Sequence, residues 1–196
     1  LLLSLNIPCW AAICLAHFVM QNLYVKHYQT TKKLQYISMF DALTGAHSRN
    51  ITKDLLKPDS TEFKEKYRQP LCVAMFDIDL FKQVNDQYGH AKGDIVLKDF
   101  ARIVLDSKTD TDVFIRWGGE EFILLMPNTE LGAAVATVES IRRKVQHFDQ
   151  GVCPITVSAG IAKYDGKDYK LVIDSADKAL YTAKNSGRNQ VVAFQM

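Results

Sequence analysis

Residues 112–126 read DVFIRWGGEEFILLM, two apolar runs hinged on Gly118-Gly119. A glycine pair between runs rich in Val, Ile and aromatic residues can supply positive φ at both central positions of a tight turn. The stretch therefore predicts an antiparallel hairpin. It also sets two adjacent carboxylates, Glu120 and Glu121, on the rim of that turn. Exposed hairpins carry Glu for solubility alone, so the pair gains meaning only from what the rest of the chain places beside it.

Upstream, LCVAMFDI (71–78) is an almost unbroken apolar run, as expected of a strand covered on both faces. A helical pattern with Phe81, Val84 and Tyr88 follows, then a longer one with Ile95, Val96, Phe100, Ile103 and Val104. Downstream, residues 130–148 carry Val135, Val138, Ile141 and Val145 on one helical stripe. PITVSAGIA (154–162) reads as a strand, 169–186 as a helix and QVVAF (190–194) as a closing strand. This alternation with one hairpin predicts an α/β sandwich with a mixed central sheet.

The 196 residues are 47% hydrophobic and 23% charged, which suits one globular domain plus an appendage. A net charge of +2 is too small to point to nucleic acid as a partner. Cys9, Cys14, Cys72 and Cys153 show no CxxC spacing and are expected as buried thiols in a reducing compartment.

Residues 1–25 contain no Asp, Glu, Lys or Arg, and Lys26, Lys32 and Lys33 follow. Such a run is long enough for a hydrocarbon core, which takes ~20 residues. Trp10 and Tyr24 would sit at the two interfaces, and the lysines would put the following chain in the cytoplasm. Asn6 and Pro8 weaken its first third. A signal peptide would need a basic start and a small-residue cleavage site, and neither is present. A buried helix is the other alternative. The expected organisation is a membrane segment over 1–25, a linker or signalling helix over 26–40, and a globular domain over 41–196. Leu23, His27, Thr30, Leu34, Ile37 and Asp41 give the linker a weak coiled-coil spacing. DALTGAHSRN (41–50) interrupts it with turn residues and begins a new helix. The start at Leu rather than Met suggests a sensory portion before it.

Asp77 ends the strand 71–78, where open α/β sheets place their ligands. If the hairpin docks beside that strand, Glu120 or Glu121 falls near Asp77. Clustered carboxylates repel unless they share a cation, and hard oxygen donors favour Mg²⁺ or Mn²⁺. The alternative role for Asp77 is to cap the next helix, but Asp79 is better placed for that. The helix start in DLFKQVNDQYGHAKGD (79–94), with Lys82 beside it, suits a phosphate. Asn85 and Asp94 together offer the complement of a guanine edge, the carboxylate accepting from N1–H and N2–H₂. Singly, each reads as an ordinary surface residue. KNSGRN (184–189) adds Lys184 and Arg188, a cationic pair that also fits a helix end capped at Gly187.

In chain order, DALTG, FDIDLFKQVND, YGHAKGD, RWGGEEF and KNSGRN run from Asp41 to about Phe194, and over that range the chain resembles the GGDEF domain of bacterial diguanylate cyclases. The resemblance implies a nucleotidyl-cyclase sandwich, related to polymerase palms, that joins two GTP molecules into cyclic di-GMP. One domain holds one GTP, so a homodimer is expected, here at the bacterial inner membrane with the catalytic domain cytoplasmic. The resemblance also implies metal ligation by Asp77, the backbone carbonyl of Ile78, Glu120 and Glu121. Glu120 would further help to deprotonate the attacking 3′-hydroxyl. Lys82, Lys184 and Arg188 would contact phosphates, and Phe81, Asn85, His90 and Asp94 the nucleotide.

Three positions depart from the family. The opening motif usually reads D-x-L-T-G-L-x-N-R, and here Ala46 replaces the Leu and Ser48 the Asn. An R-x-x-D product-binding motif usually precedes the hairpin. Here it reads TDTD, with Thr109 for the Arg and Asp112 retained. Lys108 is adjacent, but in an extended segment a neighbour points the other way. Two rival functions remain: a degenerate domain that binds nucleotide or a partner without turnover, and a cyclase for another purine. The first usually loses a motif acid or a guanine reader, and this chain keeps Asp77, Glu120, Glu121, Asn85 and Asp94. Asp94 speaks against the second, since a carboxylate repels adenine's acceptor N1.

Overall fold

The computed structural model describes residues 2–52, 70–149, 151–166 and 169–194, and of residues 2–9, 11 and 32–38 only the backbone. The chain divides into two compact units, Leu1–Ser38 and Met39–Met196. Helix α1, Leu2–Met39, is continuous, with no break near residue 25. Among the described residues no helix is long and apolar enough to cross a membrane, so the expected span over 1–25 is not supported. His17, Gln21 and Asn22 carry no formal charge, yet they dilute the run with polar groups where a span needs apolar ones.

The second unit opens with β1, His47–Ser48, and a 3₁₀ turn, Arg49–Ile51. Any helix begun there runs into residues 53–69, which lie outside the described residues. Then come β2, Leu71–Ile78, α2, Phe81–Tyr88, and α3, His90–Leu105. The hairpin strands are β3, Val113–Gly118, and β4, Glu121–Pro127. Helix α4, Leu131–His147, strand β5, Val157–Lys163, helix α5, Tyr169–Asn185, and strand β6, Val191–Ala193, complete the unit. The sheet order is β1-β3-β4-β2-β5-β6. Strand β2 pairs antiparallel with β4 and β5, while the outer pairs β1–β3 and β5–β6 are parallel. The sheet is mixed, as expected.

β2 is buried along its whole length because both faces are covered. Cys72, Ala74, Phe76 and Ile78 face one core, and Leu71, Val73 and Met75 the other, as the two-residue period of a strand requires. On the first face Phe100 of α3 meets Phe76, Phe114 and Phe122, and the last two rings stack at 5.3 Å. On the second, Val172, Ile173, Ala176 and Leu180 of α5 pack with Ile115, Ile123 and Leu125. By the same alternation Asp77 belongs to the α5 face.

The hairpin turn differs from the expected one. Gly119 has φ +34°, Gly118 does not lie at positive φ, and the register slips between Arg116 and Gly118. A bulge thus replaces the regular two-glycine turn. The thiols also differ from expectation. Cys72 is buried and burial pushes it up to about 11, but Cys14 is exposed and Cys153 lies half-buried in the loop before β5.

Gly160 on β5 lets the backbone of α5 lie directly on the sheet. A Cβ there would overlap Ala176 O and Leu180 N, backbone atoms that no rotamer change can move aside. Gly160→Ala is therefore expected to cost ~1–3 kcal/mol of stability. Thermal unfolding checks this, and an unchanged Tm would mean that α5 shifts freely on its sheet.

Candidate active site

The pairing of β2 with β4 sets Asp77 opposite Glu121, and the Ile78 N–H donates to the Glu120 carbonyl at 3.4 Å. Backbone register thus carries both turn carboxylates to the end of β2, as the expectation required. Asp77 is only 7% exposed. Helix α5 runs along the same face, and its Lys184 Nζ lies 2.7 Å from Asp77 Oδ2. Burial pushes the Asp77 carboxyl up to about 6; Lys184 pulls against this, while Glu120 and Glu121 push the same way.

Lys184, expected on a triphosphate, is therefore on Asp77. Among the described residues no three His, Cys, Asp or Glu side chains are grouped as a metal centre. Of the expected set of Asp77, the Ile78 carbonyl, Glu120 and Glu121, Asp77 faces Glu121 across the ladder and feels the charge of both glutamates, while the Lys184 ammonium holds its carboxylate. The donor chemistry still fits a hard divalent cation, since all four donors are oxygens at one strand end.

A stability test follows from the raised carboxyl. The neutral form is favoured in the fold, so its contribution is full below the ordinary carboxylate range and is lost as pH rises through about 6. Without divalent metal, the parent should lose Tm relative to Asp77→Asn over that window. Adding Mg²⁺ at neutral pH should raise the parent and not the variant. Parallel curves for the two proteins would show that Asp77 carries no such burden.

Asp79 does not cap α2. The N-cap is Leu80, in the left-handed region at φ 57°, with no side-chain cap. Asp79 is buried and accepts from Thr156 Oγ1 at 2.7 Å, Ser158 Oγ at 2.7 Å and the Asn189 N–H at 3.0 Å. It ties the end of β2 to β5 and to the segment after α5. Ser158, a hydroxyl within an apolar strand run and fully buried in the fold, is the sequence signal that points to it.

The residues expected to contact the nucleotide sit on α2 and α3. Lys82 and His90 are exposed. Phe81 is 7% exposed and belongs to the core, which leaves only its backbone to face a ligand. A Cβ at Gly93 would overlap Asn85 Oδ1, so the absence of a side chain there lets half-buried Asn85 lie against α3. Asp94, the next residue, is exposed. The two expected guanine readers are thus neighbours. Arg188 is exposed, with φ +61° and no ion pair among the described residues.

Sequence inspection also missed Arg116. Its Nε and Nη2 donate to the Gly119 carbonyl at 3.1 and 2.8 Å, and its Nη1 lies 3.0 Å from Asp41 Oδ1. The same oxygen accepts from the Thr44 N–H and hydroxyl at 2.9 and 2.6 Å. Burial pushes the Asp41 carboxyl up, but Thr44 and Arg116 outweigh it and hold it below the usual range. The opening motif is thereby fastened to the carboxylate-bearing turn.

A sequence model of the family described as "Diguanylate cyclase, GGDEF domain" matches residues 38–190. The chain belongs to this family. It is 42% identical over 130 residues to diguanylate cyclase A of Treponema denticola, covering 63% of this chain and 35% of that protein. It is 34% identical over 183 residues to diguanylate cyclase DgcM of Escherichia coli K12, covering 92% and 43%. The chain thus spans less than half the length of these curated relatives. Among solved structures, the coiled coil and GGDEF domain of DgcB from Caulobacter crescentus, in complex with c-di-GMP, superposes with TM-score 0.79 at 27% identity, covering 91% of this chain and 97% of that one. The active GGEEF domain of a Vibrio cholerae diguanylate cyclase gives 0.68 at 33% identity, covering 77% and 98%.

Proposed function

We propose that the chain condenses two GTP molecules into cyclic di-GMP. Each ribose 3′-oxygen forms a bond to the α-phosphorus of the other nucleotide, and each α–β phosphoanhydride breaks to release pyrophosphate. The observation that carries this reading is the strand register that sets Asp77 opposite Glu121 and ties the Glu120 carbonyl to Ile78, with Lys184 on Asp77, in a chain of this family. Asn85 and Asp94 would hold the guanine edge, and Lys82 and Arg188 the phosphates. Glu120 would draw the proton from the attacking hydroxyl. Asp77, the Ile78 carbonyl, Glu120 and Glu121 would hold Mg²⁺ or Mn²⁺, which when bound neutralises charge on the triphosphate and leaving group. Two domains must face each other to close the ring, so we expect a working homodimer, in which orientation supplies much of the acceleration. Incubating the purified chain with GTP and Mg²⁺ and identifying the product tests the reading. No cyclic di-GMP from a verified dimer would overturn it.

The substrate places the domain in the cytoplasm. An inner-membrane location rests on the charge-free run over 1–25 alone. Recovery of the chain only in the soluble fraction of its host would end that part of the reading.

Product control is expected to be weak. Thr109 offers neither a planar cation nor a bidentate fork. Asp112 is buried, and its Oδ2 accepts from the Thr109 N–H at 2.8 Å, so the retained acid closes a local turn. That turn replaces the expected extended segment, and Lys108 Nζ is directed at the Thr109 carbonyl, 3.0 Å away. Initial rates with added cyclic di-GMP should stay close to the uninhibited rate, and calorimetry on the metal-free protein should show little binding. Submicromolar binding with noncompetitive inhibition, lost in Asp112→Ala, would show another residue standing in for the arginine.

A further inference from the structure

Gly187, Arg188 and Asn189 leave α5 with φ of +110°, +61° and +47°. Two successive side-chain-bearing residues in the left-handed region persist only where their surroundings fix them. Here Asn189 is fixed at both ends. Its backbone N–H donates to Asp79 Oδ2 at 3.0 Å, and its side-chain Oδ1 accepts from Arg142 Nη1 at 2.6 Å. Arg142, on α4, is itself locked. Its Nε and Nη2 meet the two carboxylate oxygens of Glu139 at 2.9 and 2.7 Å, and Nη1 also reaches Gln146 Oε1 at 2.7 Å. The side chain of Arg142 is only 11% exposed, so it is a rigid fork rather than a roaming surface charge. A continuous line of polar contacts therefore runs from Glu139 through Arg142 and Asn189 to Asp79, two residues beyond Asp77.

Resting on the proposed role of Arg188 at the triphosphate, we infer that Arg142, acting through Asn189, is a positioning residue for that contact. The brace sets the backbone direction from which the Arg188 side chain departs. It also joins that direction to the strand end that carries Asp77, so the phosphate-binding cation and the carboxylates keep a fixed separation. A brace serving stability alone would leave substrate affinity untouched.

The test uses the whole chain and a GTP analogue with an α,β-methylene bridge, titrated by calorimetry with Mg²⁺, alongside KM and kcat for GTP. The variants are Arg142→Ala, Arg142→Lys, Asn189→Gly, Arg188→Ala and the doubles with Arg188→Ala. Asn189→Gly keeps the left-handed backbone accessible while deleting the acceptor, so it interrupts the brace without straining the turn. Arg142→Ala and Asn189→Gly should each weaken analogue binding and raise KM by about tenfold, the scale of one lost phosphate contact, with a smaller change in kcat. In the Arg188→Ala background neither should add a further loss. Arg142→Lys should recover part of the affinity. Parent-like analogue binding by Asn189→Gly, or losses that add in full to that of Arg188→Ala, would overturn the inference alone. Parent-like binding by Arg188→Ala would overturn both the inference and the triphosphate role beneath it.

Discussion

The Glu120→Ala variant is expected to fold like the parent and to make almost no cyclic di-GMP. Glu120 sits on the turn between β3 and β4, half-buried, and its tie to β2 is through its backbone carbonyl to the Ile78 N–H. Truncating the side chain leaves that bond and the aromatic core beneath the hairpin intact. What it removes is a carboxylate near Asp77, which in the proposed mechanism would take the proton from the attacking hydroxyl and share the divalent cation. Removing one preorganised electrostatic contact from a transition state costs roughly a hundredfold to a thousandfold in rate. Product formation from GTP and Mg²⁺, measured beside a thermal unfolding curve, checks both halves. Turnover within about threefold of the parent, with the same Tm, would take Glu120 out of the reacting set.

Asp94→Ser is expected to change which purine is used. The carboxylate follows Gly93, against which Asn85 lies, and so stands beside the amide that complements it. In the proposed role it would accept from guanine N1–H and N2–H₂ and oppose adenine's N1 lone pair. A hydroxyl can donate or accept and so favours neither base. A hydrogen bond to a charged group is worth about 1.5–3 kcal/mol, so the ratio of kcat/KM for GTP over that for ATP should fall by about tenfold or more. The rate with GTP should fall as well, since one acceptor replaces two. A ratio that holds steady would mean that Asp94 does not touch the base.

The features that sequence discloses here are those governed by short-range periodicity. β2 stands out because a strand buried on both faces must be apolar at every position, which makes the charge at Asp77 conspicuous. The hairpin is plain from its glycines, although the bulge at Arg116 and Gly118 is not, since a slipped register leaves no mark in composition. Asp79 looks like a helix cap because it stands just before one, and its true partners, Thr156 and Ser158, lie 77 and 79 residues further on. Glu139 and Arg142 have the spacing of an ordinary surface pair, and only the packing of α4 on β5 and β6 brings Arg142 to Asn189 in the turn after α5. The N-terminal run is less legible, for a different reason. Counting charges alone ignores His17, Gln21 and Asn22, whose uncharged polar groups are costly in hydrocarbon.

The last helix and the turn after it complete a site begun far earlier in the chain. Lys184 reaches back to Asp77, and Asn189 to Asp79 across 110 residues. A chain growing from the ribosome therefore cannot assemble these contacts until synthesis has passed Asn189. Until then, the end of β2 lacks the cation that offsets its carboxylates and the amide that satisfies Asp79. Contacts this distant in sequence form slowly, because the intervening loop must close before any of them is rewarded. A truncation just before Lys184 would thus keep every carboxylate of the centre and still present an unfinished one.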